Sequence, residues 1–188
     1  AMDGMLTLGY EVGAFSQINR CQNMEMTRIV RRLASELEPS FSLLDLYCGN
    51  GNLCLPLSDM ASFITGVEEY APSIASAVDN SRQASVNNST FICSDAVVAL
   101  SELLQSGKRF GLVLLDPPRS GAAGLVRKIA DTGAENIIYV SCDPATLSRD
   151  IAFLAGQRLY SLDTAIPLDM FPHTAHLETV ARLKRISD

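Results

Sequence analysis

From Phe41 onward the sequence alternates short β-type segments with segments of helical pattern, and this alternation constrains the fold more than any other feature. The β-type segments are rich in Val, Ile, Leu and aromatic residues, which is typical of strands buried on both faces. Because helical segments separate them, right-handed crossovers and a parallel sheet covered by helices on both sides are predicted. The predicted strands are residues 43–47, 63–68, 90–94, 110–116 and 136–141, and the predicted helices are residues 53–60, 72–87, 96–106, 122–132 and 144–155.

The two ends of the chain follow other patterns. Residues 24–38 carry apolar side chains at helical spacing, which predicts an amphipathic helix before the first strand. Two further β-type segments, 158–166 and 177–185, have no helix-length segment between them, and such a pair most simply forms an antiparallel hairpin at a sheet edge. The predicted fold class is therefore α/β: a Rossmann-like, seven-stranded, mostly parallel sheet with a C-terminal antiparallel hairpin, as in class I methyltransferases.

Composition and charge narrow the protein classes that remain. The 188-residue chain has 47% hydrophobic and 19% charged residues, which suits one ordinary core rather than a disordered chain. It has no apolar run near the roughly 20 residues of a membrane helix and no signal-peptide pattern. With an odd count of five cysteines, it is expected to be a reduced, cytoplasmic protein. The net charge of −6 is unusual for a protein that binds nucleic acid unaided. If the chain acts on a nucleic acid, most of the binding affinity is expected to come from outside this chain.

A glycine loop follows the first predicted strand and reads Asp45-Leu-Tyr-Cys-Gly49-Asn-Gly51-Asn. Its glycines allow a tight turn and a close approach of the backbone to a ligand. Cys54 stands where the dinucleotide fingerprint has its third glycine, which disfavours a dinucleotide. The carboxylate of Asp45 also disfavours a pyrophosphate, and it suits a cationic ligand without phosphate such as S-adenosylmethionine.

Acidic residues also end the next predicted strands. Glu68 closes the second strand, where a carboxylate can accept hydrogen bonds from both ribose hydroxyls, and Asp95 follows the third, where it can meet an adenine amino group. Either residue alone could be a solvated strand end, but with Asp45 they favour a cofactor site. Asp116-Pro-Pro-Arg119 ends the fourth strand at the same ligand-binding edge. Enzymes that methylate exocyclic amines often have an aromatic residue at the fourth position of this motif, so Arg119 argues against that chemistry.

A cysteine and a glutamate are the candidate catalytic residues. Cys142 lies just past the fifth predicted strand at the start of a helix, where the helix N-terminus is expected to lower the pKa of the thiol. Asp143 is predicted to cap that helix. Glu178 begins the last predicted strand and could face the same pocket as a general base. His173 and His176 could form a metal site with it, but His-x-x-His is a common chance spacing, so a polar active-site loop is favoured and no metal is expected.

Five motifs together resemble the RNA uracil-5-methyltransferase family, whose members make 5-methyluridine in ribosomal or transfer RNA. The resemblance runs from about Phe15 to the C-terminus. The motif after the fourth strand lacks the second cysteine that the related cytosine-5 enzymes typically use, which favours uracil. The five motifs are Phe15-Ser-Gln17-Ile-Asn19, Asp45-Leu-Tyr-Cys-Gly-Asn-Gly, Asp116-Pro-Pro-Arg-Ser-Gly, Val140-Ser-Cys-Asp-Pro-Ala-Thr-Leu-Ser-Arg-Asp and Asp169-Met-Phe-Pro-His-Thr-Ala-His-Leu-Glu.

The resemblance implies a role for each matching residue. Cys142 would be the nucleophile that adds to the base, and Glu178 the general base. Residues 1–14 would be an N-terminal extension beginning with a cloning scar, and residues 15–188 the catalytic domain. Family positions that contact S-adenosylmethionine match Gln17, Tyr47, Gly49, Glu68 and Asp116, and the loop and strand-end pattern adds Asp45, Gly51 and Asp95.

The chain departs from the family pattern in length and at a few positions. Asp143 replaces a usual Asn and Ser148 a usual Ala, while the RNA-binding barrel and the four-cysteine iron–sulfur site of many members are not in this sequence. An excised catalytic domain or a short relative is therefore expected, with an RNA substrate held partly by a domain outside this chain. Two other hypotheses remain: a methyltransferase of a small molecule or protein, and a cofactor-binding module without independent catalysis.

Overall fold

One seven-stranded sheet runs through the part of the chain that the computed structural model describes, residues 6–10, 19–170 and 177–186. The strands are β1 Phe41–Leu46, β2 Ala61–Glu68, β3 Ser89–Cys93, β4 Leu112–Leu115, β5 Asn136–Ser141, β6 Tyr160–Leu168 and β7 Glu178–Arg185. The α-helices are α1 Arg20–Ser35, α2 Ala71–Gln83, α3 Ala96–Gln105, α4 Ala123–Ile129 and α5 Pro144–Gly156.

The order of the strands confirms the predicted fold class. Across the sheet the order is β3-β2-β1-β4-β5-β7-β6. The strands from β1 to β5 pair in parallel, whereas β7 pairs antiparallel with both β5 and β6, which is the predicted C-terminal hairpin. The chain winds outward in opposite directions from β1 and β4. Ligands of doubly wound sheets bind in the crevice at such a switch point, beyond the carboxyl ends of the strands.

Alternating residues of the central strands supply two separate hydrophobic cores. Leu44 of β1 and Val113 of β4 face the layer formed by α3, α4 and α5. Leu43 and Leu112 face the opposite layer, which contains α1. Each of these four side chains is fully buried. The sheet is therefore covered on both faces, and the cores on either side hold its carboxyl edge in place.

The helix predicted for residues 53–60 is wrong. Residues 53–60 form turns around a single 3₁₀ turn at Leu55–Leu57 rather than an α-helix. Pro56 lies inside that turn and has no N–H to donate to a helical ladder. Residues 53–57 are all buried, so this part of the segment offers no polar face to solvent. In this region the glycine loop is not followed by an α-helix whose N-terminus could bind a pyrophosphate.

Helix α1 begins four residues before its predicted start because Asn19 caps it. The Asn19 side chain accepts a hydrogen bond from the backbone N–H of Gln22 at 3.2 Å. Its amide also donates to the carbonyl of Met170 at 3.0 Å, which ties the start of α1 to the chain after β6.

Within the described ranges, no helix combines the length and apolar character needed to cross a membrane.

Candidate active site

Asp45 is a buried carboxylate at the switch point. It lies in β1 beside Gly66 of β2 and Leu114 of β4, and its side chain is 1% exposed. Among the described residues, its Oδ2 atom has no hydrogen-bond partner. Burial raises the pKa of Asp45 to about 7. Because an orphaned buried oxygen is costly, this carboxylate is suited to receive a donor or a positive charge from a ligand.

The glycine loop turns by using left-handed backbone at three positions. Tyr47, Gly49 and Gly51 have φ angles of 66°, 52° and 85°. A Cβ atom at Gly51 would lie 2.6 Å from Leu55 Cδ1, so glycine is required there by packing as well as by φ. A Cβ at Gly49 would meet no atom of the described residues within 4 Å. Gly49 therefore borders open space, where a ligand can approach the backbone.

Glu68, at the end of β2, is bonded to the glycine loop. Its Oε2 accepts from the Gly49 N–H at 3.3 Å, and its Oε1 accepts from the Tyr70 N–H at 2.9 Å. Tyr47 lies close enough to Asp95 and Glu68 for their charges to add to burial, the larger cause, in raising the pKa of its hydroxyl. The structure therefore brings the loop and the strand-end acids together, as the sequence predicts.

Asp95 has a structural task of its own. It is the N-cap of α3, and its Oδ1 accepts from the N–H groups of Val97 at 2.9 Å and Val98 at 3.0 Å. The side chain is exposed beside the end of β3. Because the cap uses Oδ1, the second oxygen of this carboxylate remains available to a ligand.

Asp116 and Glu178 add two more carboxylates at this edge. Asp116 directly follows β4, and burial raises its pKa to about 8, with smaller contributions from Glu178 and Asp45. Glu178 is 5% exposed at the start of β7, where burial raises its pKa and the positive charge of Arg119 opposes that rise. Buried Asp45 and Glu178, with the partly buried Asp116, thus form an acidic cluster that holds protons more tightly than exposed carboxylates do.

Cys142 lies between the last residue of β5 and Asp143, the N-cap of α5. The expectation of a lowered thiol pKa is wrong. Burial raises the pKa of Cys142, Glu178 raises it further, and Arg119 opposes them. The predicted cap explains why the helix does not help the thiol. Asp143 Oδ1 accepts at 2.9 Å from the N–H groups of Ala145 and Thr146, the donors that would otherwise favour a thiolate.

Several sequence-based candidates lie outside the described residues. These are Gln17, His173 and His176. In the part of the chain that the structure describes, no group of three or more His, Cys, Asp or Glu side chains is placed to hold a metal ion.

The electrostatic role of Arg119 was missed from the sequence. Its charge favours the anionic form of both Cys142 and Glu178, although it lies in a different motif from either residue. The signal was present, since Arg119 is a cation in a motif that ends a strand at the ligand-binding edge.

This architecture, with a glycine loop at the switch point and an antiparallel β7, defines a class I, Rossmann-like methyltransferase domain. A magnesium protoporphyrin IX methyltransferase from Synechocystis has the same fold, with a TM-score of 0.69 over 94% of this chain and 88% of that chain. At 18% identity, this likeness concerns the fold alone. The model of the tRNA (uracil-5-)-methyltransferase family matches residues 5–186. The chain belongs to that family.

Individual relatives agree with this membership. The chain is 41% identical over 181 residues to 23S rRNA (uracil(1939)-C(5))-methyltransferase RlmD of Pseudomonas aeruginosa, covering 95% of this chain and 39% of the relative. It matches the crystal structure of Pyrococcus abyssi tRNA (uracil-54, C5)-methyltransferase in complex with S-adenosyl-L-homocysteine at a TM-score of 0.75 and 32% identity, covering 91% of this chain and 40% of that one. The chain therefore spans about two fifths of the length of these relatives.

Proposed function

We propose that this chain is the catalytic domain of an S-adenosylmethionine-dependent methyltransferase that acts on carbon 5 of a uridine in ribosomal or transfer RNA. The observation that carries the proposal is the proximity of Cys142 and Glu178 at the edge of the sheet where the glycine loop lies. Cys142 directly follows β5 and Glu178 begins β7. Ser141 pairs with Thr179 between these antiparallel strands, so Cys142 and Glu178 are the next positions along the register, and the charge of Glu178 raises the pKa of the Cys142 thiol. A nucleophile and a base in one pocket are what this chemistry requires.

The residues at the switch point fit S-adenosylmethionine. Glu68 would receive the ribose hydroxyls, and the free oxygen of Asp95 would receive the adenine amino group. Gly49 leaves open space beside the loop, and Asp45 offers the unpartnered Oδ2 of its carboxylate to the positively charged end of the ligand. Asp116 lies next in this row of acids. When bound, S-adenosylmethionine would supply an electrophilic methyl group.

The role of Cys142 follows from the weak nucleophilicity of carbon 5 of uracil. Addition of the Cys142 thiolate to carbon 6 makes an enolate, in which carbon 5 becomes nucleophilic. A thiol with a raised pKa gives a strongly nucleophilic thiolate but a small thiolate fraction at neutral pH. Arg119 increases that fraction, because its charge favours the thiolate over the thiol.

The role of Glu178 comes after carbon 5 carries the new methyl group. The proton still on carbon 5 must leave before the carbon–sulfur bond can break, and Glu178 would accept it as the Cys142 thiolate departs. The buried position of Glu178 raises its pKa, which makes it a stronger base than an exposed carboxylate. The carboxylate must be deprotonated beforehand, so turnover is expected to rise as the pH increases through this raised pKa.

Nucleoside analysis of methylated RNA tests the proposed function. The chain alone, and the chain joined to the RNA-binding segments of a relative, would be incubated with ribosomal or transfer RNA and S-adenosylmethionine carrying a labelled methyl group. We expect 5-methyluridine from the joined protein and little from the chain alone, because a net charge of −6 gives no general attraction to phosphates. Label in another nucleoside, in protein, or nowhere with the joined protein would contradict the proposal.

The cofactor site predicts a defined effect of Glu68→Ala. Losing the carboxylate removes the proposed ribose contact and the 3.3 Å bond that holds the Gly49 N–H. Affinity for S-adenosylhomocysteine should therefore fall by about 1–3 kcal/mol, the scale of a hydrogen bond to a charged group. Isothermal titration calorimetry measures this loss. Glu69→Ala, which removes an exposed carboxylate one position later, is the matched control and should bind normally. Unchanged affinity in Glu68→Ala would exclude Glu68 from the site.

A further inference from the structure

Asp150 is a buried carboxylate that the proposed chemistry does not use. It lies on α5 and is 1% exposed. Its Oδ2 accepts from the backbone N–H of Ala122 at 2.7 Å and from the Tyr139 hydroxyl at 2.8 Å. Its Oδ1 accepts from Arg149 Nε at 2.9 Å. One side chain therefore joins β5 and α5 to the end of the segment between β4 and α4.

The loop of residues 116–121 packs directly against this carboxylate. Gly121 has a φ of 75°, and a Cβ atom there would lie 2.7 Å from Asp150 Oδ2 and 2.6 Å from Arg149 Nη2. Only glycine fits both the backbone conformation and the space. The main chain of the loop consequently rests on the ion pair between Asp150 and Arg149, whose Nη2 lies 2.8 Å from Asp150 Oδ1.

Two further hydrogen bonds hold the same loop to α5. Arg149 Nη2 donates to the carbonyl of Ser120 at 3.0 Å, and Thr146 Oγ1 donates to the carbonyl of Arg119 at 3.2 Å. Helix α5 therefore holds the main chain at Arg119 and Ser120, while Asp150 holds it at Ala122. This is the loop that carries Asp116 and Arg119, and α5 starts two residues after Cys142.

We infer that Asp150 is a positioning residue that fixes loop 116–121, and with it Arg119, against the segment that carries Cys142. Asp150 does not touch the reacting atoms, and it acts through the place it gives to the Arg119 guanidinium. Arg119 in turn favours the anionic forms of Cys142 and Glu178. The effect on methylation rests on the proposed function, whereas the effect on the Cys142 thiol does not.

The pH dependence of Cys142 alkylation tests this role without turnover. Exposed Cys21 and Cys93 are replaced by serine, and iodoacetamide labelling of the Cys142 peptide is followed by mass spectrometry over a range of pH. In Asp150→Asn the midpoint should rise by up to about one pH unit, the low end of the effect of a nearby opposite charge. Arg119→Gln should give a similar rise, and the double variant should add little to it, because both changes remove the same interaction.

The direction of the shift separates positioning from a direct charge effect. Removing the negative charge of Asp150 would by itself lower the thiol pKa, since a nearby anion disfavours a thiolate. A looser loop moves away both Arg119, which lowers the thiol pKa, and Asp116, which raises it by less, so the midpoint rises instead. Greater exposure of the thiol would also lower the midpoint, because burial raises the pKa of Cys142, so only the loss of Arg119 raises it.

Two further variants complete the test. Asp163→Asn removes a carboxylate that pairs with Arg182 at 2.6 Å and Lys184 at 2.8 Å on the hairpin, and it should leave the midpoint unchanged. Thr146→Val removes the hydroxyl that donates to the carbonyls of Arg119 and Asp143, both at 3.2 Å, with little change in shape, and it should raise the midpoint by less than Asp150→Asn. If Asp150→Asn fails to fold by circular dichroism, Thr146→Val decides. An unchanged or lowered midpoint in the folded variants overturns the inference.

The same variants in a methylating protein complete the assignment. Asp150→Asn should lower kcat about tenfold, in step with the smaller thiolate fraction, and leave the KM for S-adenosylmethionine unchanged. A wild-type protein that methylates nothing would contradict the proposed function and leave the alkylation result intact. A normal kcat beside a shifted midpoint would overturn the positioning role in catalysis.

Discussion

Replacing Cys142 by alanine is expected to abolish both methylation of uridine and covalent attachment of the protein to RNA. Without the Cys142 thiolate, carbon 5 is not expected to become nucleophilic. Losing a catalytic nucleophile costs about 10⁴-fold or more in rate. The measurement uses the protein with its RNA-binding segments, labelled cofactor for turnover, and 5-fluorouridine RNA on denaturing gels. Fluorine on carbon 5 cannot leave as a proton, so the wild-type adduct persists.

The control for this variant is another cysteine at the same edge. Cys93 ends β3 and is exposed, and Cys93→Ala should keep both activities. Binding of S-adenosylhomocysteine by Cys142→Ala should remain normal, because the proposed cofactor contacts do not include Cys142. A Cys142→Ala protein that still methylates uridine would contradict the covalent mechanism and leave the thiol with a packing role.

The fold could be predicted because its information is local. Strands buried on both faces appear as short apolar runs, and the alternation with helices sets a parallel sheet. The predicted strand 43–47 overlaps the observed Phe41–Leu46, and the hairpin is where the pattern placed it. The error at residues 53–60 has a local cause. Pro56 has no N–H to donate to a helical ladder, and residues 53–57 are all buried, so they cannot form the two faces of an amphipathic α-helix.

The site could be predicted only as far as strand ends determine it. Parallel strands place their carboxyl ends together, so Asp45, Glu68 and Asp95 could be grouped from their order along the chain. The direction of the Cys142 pKa shift could not be predicted, because it depends first on burial of the thiol and then on Glu178 and Arg119, which are distant in sequence. Capping of α5 by Asp143 was predicted, but its competition with the thiol for the same N–H groups was not. Those energies depend on distances that a sequence does not contain.

Replacing Glu178 by glutamine is expected to separate addition from release. Glutamine keeps the shape of the side chain but cannot accept the proton from carbon 5. Addition of Cys142 and methyl transfer come before that step, so they should proceed, and the methylated adduct should accumulate. Turnover should fall about 10²–10⁴-fold, the usual contribution of a general base. Denaturing gels with labelled cofactor and unmodified RNA measure the trapped species.

The electrostatics of the site strengthen this expectation. The Glu178 carboxylate raises the pKa of the Cys142 thiol, so its removal should lower that pKa and increase the thiolate fraction at neutral pH. Alkylation of Cys142 in Glu178→Gln should therefore be faster than in wild type at pH 7, while Glu102→Gln, a change on the exposed surface of α3, should alter neither alkylation nor turnover.

These two readouts together decide the role of Glu178. Fast alkylation with an accumulating methylated adduct supports proton removal as its task. Normal turnover in Glu178→Gln would exclude it as the base. A third outcome is fast alkylation and normal binding of S-adenosylhomocysteine without any adduct. The thiol would then be reactive and the cofactor bound while the uracil is not attacked, so Glu178 would act before the addition of Cys142 to carbon 6. That result would also contradict the proposed order of steps, in which Glu178 acts only after carbon 5 has been methylated.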